Sequence, residues 1–84
     1  MQIREIWAIP RERIECFFLP QDDVRLNGDG GFSFKRCEIC ITSMQEREIG
    51  RLRFPQTRME FEGPDEDTKE IHRRFVLQFI SAGG

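Results

Sequence analysis

"EFEGPDEDTKEIHRRFVLQFI", residues 60–80, is where this chain changes its period. Before it, apolar residues recur at every second position, as on half-buried strands. From Ile71 onward they recur every fourth, at Ile71, Phe75 and Phe79, as on one side of a helix. Gly63-Pro64 marks the break, because Pro64 fits the first helical turn, where a missing N–H costs nothing. Asp65, Glu66 and Asp67 follow where a helix N-terminus favours negative charge. The spacing predicts a helix over about 64–80, fraying at Ala82-Gly83-Gly84.

Working back from that helix, residues 1–62 read as short strands bounded by Pro and Gly. Residues 3–9 form one run, ending at Pro10, and residues 13–19 a second, ending at Pro20, with Ile14, Cys16 and Phe18 on one face. In residues 32–42, Phe32 and Phe34 share a side and then Cys37, Ile39 and Ile41 do; this change of parity predicts a bulge near Lys35 and Arg36. "GRLRF" and "TRMEFE" read as two runs flanking Pro55. "LNGDGGFSF", residues 26–34, reads as a hairpin corner in which Asn27-Gly28 and Gly30-Gly31 supply positive φ. The expected fold is mainly β: five or six antiparallel strands and a C-terminal α-helix, in one domain over residues 1–84. Closing the sheet into a small β-barrel would remove its edges, and a flat sheet with the helix across one face is the second solution.

Eighty-four residues with 38% hydrophobic content and eight Phe suffice for one core and no more. No run reaches the ~20 apolar residues that span a bilayer, and Arg4 and Glu5 interrupt the place where a leader would be apolar. Three cysteines, an odd number, suit free thiols in a reducing compartment, so a cytoplasmic setting and no membrane insertion are expected. Thirteen basic and fifteen acidic residues are interleaved, leaving no broad positive field for nucleic acid.

"CEIC", residues 37–40, has the spacing of a zinc or redox pair, and Cys16 and His72 would complete four ligands. On a strand, however, residues three apart point to opposite faces, so neither metal nor disulfide is expected. His72 falls on the apolar side of the helix, where a histidine bonded to a backbone carbonyl is the simplest account. Nothing supplies a nucleophile elbow, a phosphate loop or a paired acid and base, so the chain is not expected to be an enzyme. Eight Phe, one Trp and no Tyr argue for core aromatics over a stacking platform, leaving Trp7 as the aromatic anchor for a partner.

The ending "MEFEGPDEDTKEIHRRFVLQFI" and the loop "LNGDGGFSF" together resemble the PilZ domain, a bacterial β-barrel closed by a C-terminal helix that in many members binds cyclic di-GMP. The resemblance implies a ligand site at Arg11, Arg13, Asn27, Asp29, Gly30 and Gly31. Arg11 and Arg13, two apart, would share a face of an extended segment and grip a phosphate. The chain departs from the family at Leu26 and Gly28, where PilZ loops carry Asp or Asn and then Ser. Members without those groups tend to act through protein contacts. The resemblance therefore implies a non-catalytic regulatory or adaptor domain without a cofactor, with a cyclic di-GMP sensor as the alternative and an unrelated immunity, inhibitor or interaction protein behind both. Val76 and Ile80 widen the helix's apolar arc, so a protein partner or homodimer is expected to touch Trp7, His72, Val76, Phe79 and Ile80.

Overall fold

The computed structural model describes residues 1–83 as a five-stranded antiparallel sheet with two helices on one face. In chain order the elements are β1 (Gln2–Trp7), α1 (Arg11–Phe18), β2 (Val24–Leu26), β3 (Phe32–Phe34), β4 (Cys37–Ile49), β5 (Leu52–Glu62) and α2 (Asp65–Gly83). The strands lie in the order β1-β5-β4-β3-β2. A mainly β fold with a C-terminal helix is thus found, but the sheet is open. Its edges β1 and β2 do not meet, and the helices cover one face in place of barrel closure.

The inward positions follow the alternation. Val24, Phe32, Phe34, Cys37, Ile39, Ile41, Thr57, Met59 and Phe61 are buried beneath the helices, and directly opposed residues share this face, as in Phe34↔Cys37 and Ile41↔Met59. From α2, Thr68, Ile71, Phe75 and Phe79 close the core. Phe75 is its aromatic hub, edge-on to Trp7 at 5.0 Å and close to Phe18, Phe61 and Phe79.

The strand expected over residues 13–19 is instead helix α1, which runs Arg11–Phe18 with Leu19 as its C-cap. Ile14 and Phe18 satisfy both an alternation of two and a spacing of four, and Pro10, extended at φ −63 and ψ 145, serves as the N-cap as well as it would end a strand. Two turns of helix are marginal alone; complete burial of Ile14 and Phe18 against the sheet decides the matter. Arg11 and Arg13 consequently diverge around the helix, contrary to the expectation that they share a face. Thr57 Oγ1 donates to the Ile9 carbonyl at 2.6 Å, fixing the entry to α1 against β5.

Two further expectations change. The shift of parity at Lys35-Arg36 is a two-residue hairpin turn, with Lys35 at φ 52 and Phe34 paired to Cys37. The bulge lies instead in β4 between Met44 and Arg47, across from Pro55. That placement lets Pro55 sit within β5 without a ladder N–H, so the two runs flanking it are one strand. Helix α2 begins where predicted and continues to Gly83; Gly84 lies outside the described residues.

Candidate functional site

The glycine loop joins β2 to β3 and is held by its own polar groups. Asn27 Oδ1 accepts from the N–H groups of Asp29 (3.1 Å) and Gly31 (3.0 Å), while its Nδ2 donates to Glu38 at 3.1 Å. Among these glycines only Gly30 has positive φ, at 81°, contrary to the expectation for Asn27-Gly28. Gly31 is required for a different reason: a Cβ there would clash with the Ile39 carbonyl oxygen. The close approach is therefore between two backbone segments of this chain.

Arg11 does reach this loop, donating through Nη2 to the Gly30 carbonyl at 2.9 Å, and it also lies 3.7 Å from Glu15. Arg13 does not: its guanidinium sits 5.9 Å from the Phe79 ring, beside a groove of about 310 Å³ between α1 and α2. The six residues implied as a ligand site are thus divided. Arg11, Asn27, Gly30 and Gly31 meet in one bonded corner, Asp29 is exposed at its tip, and Arg13 lies elsewhere.

The residues expected at an interface lie along α2 and the neighbouring β1, but they differ in exposure. Trp7 is half-buried against Phe75 and donates to Glu5 Oε1 at 3.1 Å. His72 Nε2 meets the same carboxylate oxygen at 2.9 Å, so its partner is a side chain and not the expected carbonyl. Phe79 belongs to the core, Val76 is half-buried against it, and Ile80 alone of the five is well exposed.

A separate charged cluster fastens α2 to the β2–β3 end of the sheet. Arg74 lies 4.8 Å over the Phe34 ring and donates to Gln21, Asp23 and Glu70, while Lys35 pairs with Glu70 at 3.2 Å. The bonded Arg74 guanidinium holds the Asp23 carboxyl below its ordinary pKa, and Lys35 and then Arg74 do the same for Glu70. In "CEIC" Cys37 is buried and Cys40 exposed, on opposite faces as strand geometry requires. Burial pushes both thiols up, and nearby Glu60 raises Cys40 further, so neither is an activated nucleophile.

The feature most open to a partner is the far half of the β4–β5 hairpin. Thirteen residues of β4 at about 3.3 Å each nearly equal the molecule's longest extent of 41 Å. β1 accompanies β5 only as far as Trp7↔Thr57, and β3 accompanies β4 only as far as Phe32↔Ile39. Beyond these points a two-stranded arm continues to the Gly50-Arg51 turn, where Gly50 has φ 62.

Comparison with known proteins finds no matching family model, curated protein or solved structure. The arm is accordingly judged on its geometry. In β5 the odd positions Thr57, Met59 and Phe61 are buried, so the even positions Leu52 and Phe54 face away from the helices. Their partners across the ladder, Ile49 and Arg47, share that outer face, as does Met44 opposite Gln56. Met44, Ile49, Leu52 and Phe54 are 37, 54, 63 and 36% exposed, and Ile6, outward on β1, is 54% exposed. Charged residues occupy the inner side of the arm, where Glu48 pairs with Arg53 at 3.1 Å.

The sequence carried one sign of this surface. Within a single strand, Leu52 and Phe54 have the opposite parity to Thr57, Met59 and Phe61, so the apolar side switches face at Pro55. Dividing the segment at Pro55 conceals the switch.

Proposed function

We propose that this chain is a non-catalytic adaptor domain that acts by protein–protein contact, with the β4–β5 arm as its contact element. The observation that carries the reading is the row of apolar side chains on the arm's outer face, over which none of the described residues forms a covering layer. A charged or polar arm would be the ordinary way to keep an open ribbon solvated and unpaired. The three free thiols support a cytoplasmic setting.

The glycine corner favours this reading over a cyclic di-GMP sensor. Asn27 is committed to backbone groups and Glu38, Arg11 donates to Gly30, and the exposed Asp29 carboxylate would repel an anion. Two measurements test the proposal. A photo-crosslinking amino acid at Leu52, introduced in the native cells, should form protein adducts, whereas the same group at Arg25, on the opposite end of the sheet, should not. Calorimetry with cyclic di-GMP should give no heat of binding. Absence of any Leu52 adduct, or micromolar nucleotide binding lost in Arg11→Ala, would reject the adaptor reading.

A further inference from the structure

The two edges of the sheet, β1 and β2, are finished differently. β2 has three residues and leaves little backbone unpaired. β1 has six, pairs with β5 in unbroken register and contains no proline, and no strand of the described residues lies beyond it. The core is unfinished along this edge: Ile3 and Trp7 pack on the core cluster yet stay half-buried, as does Val76 of α2. Glu5, the one inward charge here, would repel an incoming strand if it were free, but Trp7 Nε1 and His72 Nε2 hold its carboxylate.

Helix α2 forms a wall above the same edge. It runs in the direction of β1, with Asp65 3.5 Å from the Met1 nitrogen, His72 2.9 Å from Glu5, and the Phe75 ring 5.0 Å from that of Trp7. At about 1.5 Å per helical residue and about 3.3 Å per strand residue, Lys69 stands level with Ile3, Arg73 with Glu5 and Val76 with Trp7, while Ile80 lies further on. At about 100° per residue these four share one flank of α2 with Asp65 and His72. Lys69, Arg73 and Ile80 are exposed there, and neither cation forms an ion pair among the described residues, whereas Lys35 and Arg74 at the other flank do. Unpaired backbone thus lies beside a flank that is basic at one end and apolar at the other.

We propose that β1 takes up an extended segment of another protein as a sixth strand of the sheet, with an acidic side chain inward between Lys69 and Arg73 and apolar ones inward beside Trp7, Val76 and Ile80. A row of backbone N–H and C=O groups selects a strand, because a strand returns bonds at the same spacing. Lys69 and Arg73, one helical turn apart, suit a single carboxylate placed opposite Ile3. Two strand residues on, Glu5 requires an uncharged neighbour, and beyond it Trp7, Val76 and Ile80 require apolar ones. The surface is separate from the arm and stands whether or not the arm is a contact element.

The peptide acetyl-Leu-Thr-Leu-Thr-Gln-Thr-Glu-amide carries this order of inward side chains for antiparallel entry. Titrated into the isotope-labelled full chain, it should shift the backbone amides of residues 2–7 saturably, with a dissociation constant of about 1 mM or tighter. Lys69→Glu with Arg73→Glu should weaken binding about tenfold, as two exposed ion pairs turned to repulsion imply, while circular dichroism holds. Arg51→Glu on the arm should leave binding unchanged. N-methylation of the peptide's threonines, or of its other residues, should abolish binding in one case and spare it in the other, because alternate N–H groups face the edge. Unmoved amides at residues 2–7, a double variant that binds as wild type does, or two methylated peptides that behave alike overturns the inference. So does a concentration-dependent shift of those amides without peptide, which would mean that a second copy of the chain occupies the edge.

Discussion

Helix α1 makes opposite demands of two neighbouring apolar positions, and a pair of substitutions turns this into a measurement. Ile14 is completely buried and Cys16 is exposed, although on a strand both would face the core. Ile14→Ala removes three buried carbons and leaves a cavity beneath the sheet, at a cost of about 2–5 kcal/mol. Cys16→Lys places an ammonium in solvent one turn after Glu12, in the favourable order for an i,i+4 pair worth about 0.2–0.5 kcal/mol. Were position 16 to face the core, the same lysine would be buried without a partner and cost several kcal/mol. Urea unfolding followed by the fluorescence of Trp7, which packs on Phe75, reports both effects. With a slope near 1 kcal/mol per M for a chain of this size, Ile14→Ala should lower the midpoint by roughly 2 M or more. Cys16→Lys should hold the midpoint or raise it by about 0.5 M. A Cys16→Lys variant destabilised by more than ~2 kcal/mol, or a neutral Ile14→Ala, would refute the helical burial pattern.

The remaining expectations concern charge, backbone and thiols. Asp23 and Glu70 have folded pKa values below their unfolded ones, so their contribution is complete above the unfolded values of about 3.9 and 4.3 and is lost as pH falls through the folded values. The stability gap between wild type and Arg74→Met should therefore be widest near pH 7 and narrow toward pH 3 in urea titrations. Gly31→Ala should cost at least ~1–3 kcal/mol by forcing Cβ against the Ile39 carbonyl, whereas Gly28→Ala meets open space and should be neutral or gain up to about 1 kcal/mol in thermal melts. A thiol reagent should modify Cys16 and Cys40 in the folded protein and reach Cys37 only on unfolding, which mass spectrometry counts directly.

What could be read from the residues depended on how many neighbours each inference required. Helix α2 has enough turns for Ile71, Phe75 and Phe79 to set its period, and the alternation around Cys37, Ile39 and Ile41 places a strand without tertiary information. Helix α1 has two turns, and Ile14 and Phe18 fit either period until their burial partners are known. Barrel closure was a solution to the problem of exposed edges, but the second helix covers the inner face without it. At the glycine corner, composition indicated a turn, while the Asn27 bonds and the Gly31 contact with Ile39 depend on the packing of β3 beside β4. The arm escaped notice because proline ordinarily ends a strand. Only the bulge opposite Pro55 allows β5 to continue and carries Leu52 and Phe54 onto the outer face.

The place of β1 in the sheet has a consequence for how the chain acquires its structure. Among the described strands β1 comes first in the chain, yet the strand it pairs with is β5, with Ile3 opposite Phe61 and Trp7 opposite Thr57. The β4–β5 hairpin closes a short loop and can form early, whereas docking β1 must close most of the chain. During synthesis β1 therefore waits for β5, the last of these strands, and the β5 edge stays unpaired until the two dock. Conditions that slow this final pairing leave the β5 edge open to pairing between chains, so the yield of folded protein should fall with concentration even where the finished structure is stable.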